Sequence, residues 1–107
     1  MIALLLLAAA PNHFAYSMLG EGSMSCGEWV DRRRAEPSRV LPESAWVSGY
    51  VTAMARTDSV RSGREIARGL ERPGIDHWVD NYCAVHPLDN VETAASALVG
   101  DLLSKAR

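Results

Sequence analysis

The sequence has one lysine, Lys105, one phenylalanine, Phe14, and two cysteines, Cys26 and Cys83. It has no basic excess, since 11 Lys and Arg face 13 Asp and Glu for a formal net charge of -2. That balance argues against a nucleic-acid binder, whose affinity rests on clustered cations. No apolar run is long enough to cross a bilayer, which takes about 20 residues. Strand signals are weak throughout, Val40-Leu41 being too short to count. No nucleophile elbow, zinc-protease helix or phosphate loop is present. His77 and His86 lie nine residues apart on one expected helix, about 13 Å along its axis, and cannot share a site. The chain is therefore read as non-enzymatic, with no catalytic residue, no cofactor and no metal site.

What is present begins with the apolar run Leu4-Leu5-Leu6-Leu7-Ala8-Ala9-Ala10. Its length suits the h-region of an export signal, although no Lys or Arg precedes it. Ala15-Tyr16-Ser17 offers a small-x-small cleavage site. Residues 1–17 are thus expected to be a signal peptide and residues 18–107 a single helical domain. The alternative is a buried N-terminal helix, which Pro11 and Asn12 would interrupt. An export signal places the protein in the periplasm or outside the cell.

An even cysteine count behind such a signal implies one disulfide, Cys26–Cys83. A loop that long stabilises by about 4 kcal/mol in the chain-entropy account. This is comparable to the whole stability of so small a domain. Two unpaired buried thiols are the alternative.

Helical periodicity is legible in four places. Cys26, Trp29, Val30 and Arg33 share a face over Cys26 to Ala35, with Ser25 as cap and Glu28 three residues on. Trp46, Val47, Tyr50, Val51 and Met54 predict a second helix from Pro42 to about Arg56. Gly49 inside it suggests the close approach of another helix. Thr57 to Arg72 reads as an irregular Arg-rich connection, with at most a helical turn around Ile66, Ala67 and Leu70. Ile75, Trp78, Val79, Tyr82, Cys83 and His86 predict a third helix from Gly74, stopped by Pro87. Val91, Ala94, Ala95, Leu98, Val99 and Leu102 predict a fourth from about Asn90 to Lys105, capped by Asp89 with Glu92. The fold class is all-α, a small four-helix bundle in which a disulfide pins helix one to helix three.

Trp29, Trp46 and Tyr50, with Arg64 and Arg68 from the connection, form the candidate partner surface, because Trp, Tyr and Arg dominate binding hot spots. The simpler reading of each aromatic residue is that a small core uses large side chains. Arg32-Arg33-Arg34 is flanked by Glu28, Asp31 and Glu36, which predicts local pairing. Asp76 and Asp80 are placed on the solvent face of helix three. Gly20-Glu21-Gly22 reads as a flexible end. Cys83 and His86 have the spacing of two metal ligands, but His86 serves more simply at the helix C-terminus.

One resemblance rests on Cys26-x-x-Trp29, Trp46-Val47-Ser48-Gly49-Tyr50, Trp78-Val79-Asp80-Asn81-Tyr82-Cys83-Ala84-Val85-His86-Pro87-Leu88 and the Ala-rich helix from Val91. Over about Cys26 to Leu103 this layout resembles a group of small exported bacterial proteins. It is similar to the HdeA/HdeB acid-stress chaperones, periplasmic all-α proteins with one disulfide between an early and a late helix. It also resembles the immunity proteins of type VI secreted amidases, in which a Gly-Tyr helix precedes one ending in His-Pro. The resemblance implies a protein partner: unfolded clients, or a secreted cell-wall hydrolase to be inhibited. A homodimer is compatible with either. Only the cysteine pair carries over from these families.

Overall fold

The computed structural model describes residues 15–106. The proposed signal segment therefore lies largely outside the described residues. Four helices follow one another: α1 (Cys26–Ala35), α2 (Pro42–Ser62), α3 (Arg72–Val85) and α4 (Val91–Lys105). Among the described residues there is no β-strand beyond an isolated bridge between Ser25 and Asn90, and no helix is long and apolar enough to cross a membrane.

Each helix begins where local chemistry permits it. Ser25 Oγ accepts the Glu28 N–H at 3.1 Å and caps α1. Asn90, not Asp89, caps α4 by accepting the Thr93 N–H at 2.8 Å. Asp89 instead accepts a hydrogen bond from the Tyr82 hydroxyl. The third helix starts at Arg72, two residues before the expected Gly74. Pro73 falls in its first turn, where a missing N–H is harmless and the fixed φ is already helical.

The second helix runs six residues past its expected end at Arg56, to Ser62. Its added turns carry Thr57, Asp58, Ser59 and Arg61, whose side chains are compatible with a solvated helix surface. It stops at Gly63, whose left-handed φ of 72° lets its N–H reach Ser59 O at 2.8 Å. Arg64 then locks the end by donating to Asp58 at 2.8 Å and to Ala106 O at 3.1 Å. The Arg-rich connection thus shrinks to residues 63–71. Gly49 has no neighbouring atom within 4 Å of where a Cβ would stand, so no helix approaches there, contrary to expectation.

The core gathers Trp29, Val47, Val51, Ile75, Val79, Cys83, Val91, Ala94, Ala95 and Leu98 between the four helices. The alanines of α4 allow that helix to sit close to its neighbours. Cys26 and Cys83 are bonded, with Cα atoms 4.8 Å apart and a sequence separation of 57. Beside the bridge, the Cys26 N–H donates to Asp89 O at 2.7 Å and the Val91 N–H to Met24 O at 2.9 Å. The start of α1, the end of α3 and the start of α4 meet at this junction.

Gly20-Glu21-Gly22 is not a flexible end. Glu21–Ser23 form a 3-10 turn, and Gly22 and Met24 are buried. A Cβ on Gly22 would overlap the Trp46 ring and the Met18 sulfur. Trp46 Nε1 donates to Leu19 O at 2.7 Å. The missing side chain lets the indole lie flat on the backbone, which fastens the segment to α2.

Replacing both cysteines, Cys26→Ser with Cys83→Ser, should lower the unfolding free energy by about 4 kcal/mol. Urea denaturation followed by tryptophan fluorescence reads this directly. A loss below about 1 kcal/mol would show that the bridge does not hold the fold.

Candidate functional site

Three helices bring three arginines against three carboxylates. Arg32 and Arg33 come from α1, Glu43 from α2, and Arg72, Asp76 and Asp80 from α3. Arg33 faces α3 because it follows Cys26 and Trp29 on the inner stripe of α1. Its Nε donates to Asp80 Oδ1 at 2.9 Å and its Nη2 to Asp80 Oδ2 at 3.0 Å, a bidentate pair. The hydrogen bond to Asp80 raises the Arg33 guanidinium above its ordinary value, and partial burial opposes this. Trp29 Nε1 donates to the same Asp80 Oδ1 at 2.8 Å.

Asp76 is 2 % exposed. It accepts from Ser44 Oγ and, at 2.8 Å, from Arg72 Nη1, with Arg33 Nη1 at 3.8 Å. Glu43 is wholly buried, and its Oε1 stands 2.9 Å from Arg32 Nε. That contact lacks hydrogen-bond alignment, so neither Glu43 oxygen has a hydrogen-bond partner among the described residues. The two buried carboxylates differ accordingly. Asp76 is satisfied by its donors, whereas Glu43 has charge attraction alone to offset its lost water.

A cavity of about 320 Å³ opens beside the network, lined by Val30, Arg33, Arg34, Pro37, Asp80 and Ala84. Elsewhere on α3, Trp78, Tyr82 and His86 form an aromatic ladder, with ring centroids 5.7 and 4.1 Å apart. The Tyr82 hydroxyl donates to Asp89 at 2.6 Å, which holds the phenol above its ordinary value. His86 Nδ1 lies 2.9 Å from Tyr82 O, as a residue at a helix C-terminus should. Cys83 is oxidised, so the Cys83–His86 pair has no free thiolate to offer a metal.

The candidate partner residues do not converge. Trp29 is fully buried and bonded to Asp80, and is a core residue and not surface. The indole fills the space between α1 and α3 that the short disulfide-linked approach creates. Trp46 and Tyr50 stack at 5.5 Å and are partly buried, Trp46 under residues 19–22. Arg64 is engaged by Asp58 and Ala106. Arg68 is 81 % exposed and pairs with Glu65. Trp46 stands near the start of α2 and Arg64 just beyond its end at Ser62, which lies about 24 Å along the axis from Trp46.

Two charge expectations are also corrected. Arg32 and Arg33 pair across helices with Glu43 and Asp80, not locally with Glu28, Asp31 and Glu36. Asp76 is buried, and Asp80 faces α1 instead of open solvent. A signal for this was present. Asp76 and Asp80 each follow a core residue, Ile75 and Val79, and so border the apolar stripe at about 100° from it. Arg72, Asp76 and Asp80 further repeat at intervals of four. No family model, no characterised protein and no solved structure matches the chain, so the functional argument rests on these residues.

The network predicts opposite signs for its two buried acids. Asp76→Ala strands Arg72 and Ser44 and should cost about 3 kcal/mol. Glu43→Met removes an unsatisfied carboxylate and leaves the half-exposed Arg32 to water, so it should stabilise by about 1 kcal/mol at neutral pH. Urea midpoints at pH 7 measure both.

Proposed function

We propose that this is an exported, non-enzymatic protein that opens in acid and holds unfolded polypeptides, as the HdeA/HdeB stress chaperones do. Residues 1–17 would direct it to the periplasm or beyond and be removed. The observation that carries this reading is the Arg32, Arg33, Arg72–Glu43, Asp76, Asp80 network, which ties α1, α2 and α3 together through carboxylates. Protonating Asp76 and Asp80 leaves Arg33 and Arg72 without their counter-charges in a partly buried space. Across the chain, protonation of all 13 acids leaves 11 Lys and Arg, plus the histidines, uncompensated. Self-repulsion then loosens the bundle. The surfaces released include Val47 and Val79, while the Cys26–Cys83 bridge keeps α1 on α3 and limits how far the chain expands.

Two exposed carboxylates near helix ends add a further acid-sensitive contribution. The Arg64 hydrogen bond holds Asp58 below its ordinary value, and the Lys105 hydrogen bond does the same for Asp101. A carboxylate lowered in the folded state lends stability above its unfolded value and loses it as pH falls through the folded one. Both contributions are thus intact at neutral pH and begin to be lost only as pH falls below about 4.

The competing reading is an immunity-type inhibitor of a secreted cell-wall hydrolase. It needs a folded-state surface, and two residues proposed for that surface, Trp29 and Arg64, are engaged within the fold.

The test is light scattering of an aggregating client with the oxidised protein at pH 7 and pH 2.5. Suppression of aggregation is expected only at the lower pH, with Asp80→Asn moving its onset toward neutrality because Arg33 is then already unpaired. Absence of suppression at both values would remove the chaperone reading. Stoichiometric inhibition of a cell-wall hydrolase at pH 7 would replace it.

A further inference from the structure

The groove between the end of α1 and the C-terminal half of α3 adds an apolar floor and one further cation, Arg34, to the Arg33–Asp80 pair of the charge network. Its walls are Val30, Pro37 and Ala84, and its polar rim is Arg33, Arg34 and Asp80. Asp80 takes both nitrogens of Arg33 that it can reach, so that pair is neutral. Arg32 is matched by Glu43. Arg34 is exposed and meets no carboxylate among the described residues. The carbonyl end of α1 contributes roughly half a negative charge, which leaves the mouth positive.

We propose that this groove binds the C-terminal residue of a partner polypeptide, an aliphatic side chain with a free α-carboxylate. The side chain lies on Val30, Pro37 and Ala84, and the carboxylate meets Arg34. Charge complementarity and size both select this occupant. A chain end carries its apolar side chain and its charge on one Cα, and so matches an apolar floor with one adjoining cation. The volume of about 320 Å³ lies at the bottom of the range for small-ligand sites, roughly 300–1,000 Å³, which suits one or two residues and not a helix. Residues 1–14 of this chain contain no acidic side chain to supply the counter-charge. The site belongs to the closed, oxidised protein at neutral pH and stands independently of acid opening.

The experiment is an NMR titration of the full chain at pH 7 with N-acetyl-Gly-Leu bearing a free carboxylate, and with the same peptide as its C-terminal amide. Saturable shifts at Val30, Arg34 and Ala84 are expected with the acid, and about tenfold weaker binding with the amide. Arg34→Gln should weaken the acid by a similar factor and leave the amide unchanged. Ala84→Glu, also at an exposed position, should abolish binding of the acid with the fold intact. Equal binding of acid and amide, shifts confined to other helices, or no saturable shift would each overturn the proposal. Light scattering at pH 2.5 reads only the opened state, so failure of one reading is distinguishable from failure of the other.

Discussion

A ten-residue helix has too few hydrogen bonds to repay its nucleation in water, and α1 is such a helix. Its place depends on Cys26, the first residue of the helix, which is covalently joined to α3. Once that end is fixed, the next turns of α1 bring Trp29 and then Arg33 against α3, where both donate to Asp80. The backbone bonds from Cys26 to Asp89 and from Val91 to Met24 add α4 to the same junction. The bridge therefore does more than shorten the unfolded chain. It sets which faces of α1 and α3 meet, and the charge network is a consequence of that meeting.

The network is expensive for so small a domain. Burying a carboxylate costs several kcal/mol unless donors replace its water. Asp76 has such donors in Ser44 and Arg72, whereas Glu43 has a single poorly aligned arginine. A core built for stability alone would place an aliphatic residue at Glu43. Retaining an acid there lowers stability at neutral pH. The disulfide offsets that weakness, since it stays intact when the charges are lost.

Much of the fold was legible because helices advertise themselves through local spacing. The bounds of α1 and the end of α4 match the reading of the apolar stripes, and Ser25 caps α1 as its position suggested. The misses share a cause. Past Arg56 the apolar stripe fades, yet α2 continues, because a solvated helix needs no stripe. Gly20 to Gly22 looked free of constraint, but the absence of a Cβ there is what admits Trp46. The candidate site was less legible still. Hot-spot composition drew attention to Trp29, which composition alone cannot distinguish from core.

The sequence by itself determined the helical class and the positions of the apolar stripes, since these follow from periodicity, and it led one to expect the cysteine pair that the structure shows bonded. Only the tertiary structure decided the fate of the residues beside the stripes. Arg33 and Asp80 lie 47 positions apart, and no local pattern relates them. Whether a charged residue at the edge of a stripe meets solvent or a partner depends on how two helices are rotated against each other. That rotation is fixed by packing around the Cys26–Cys83 bridge, a long-range constraint that helical spacing does not encode.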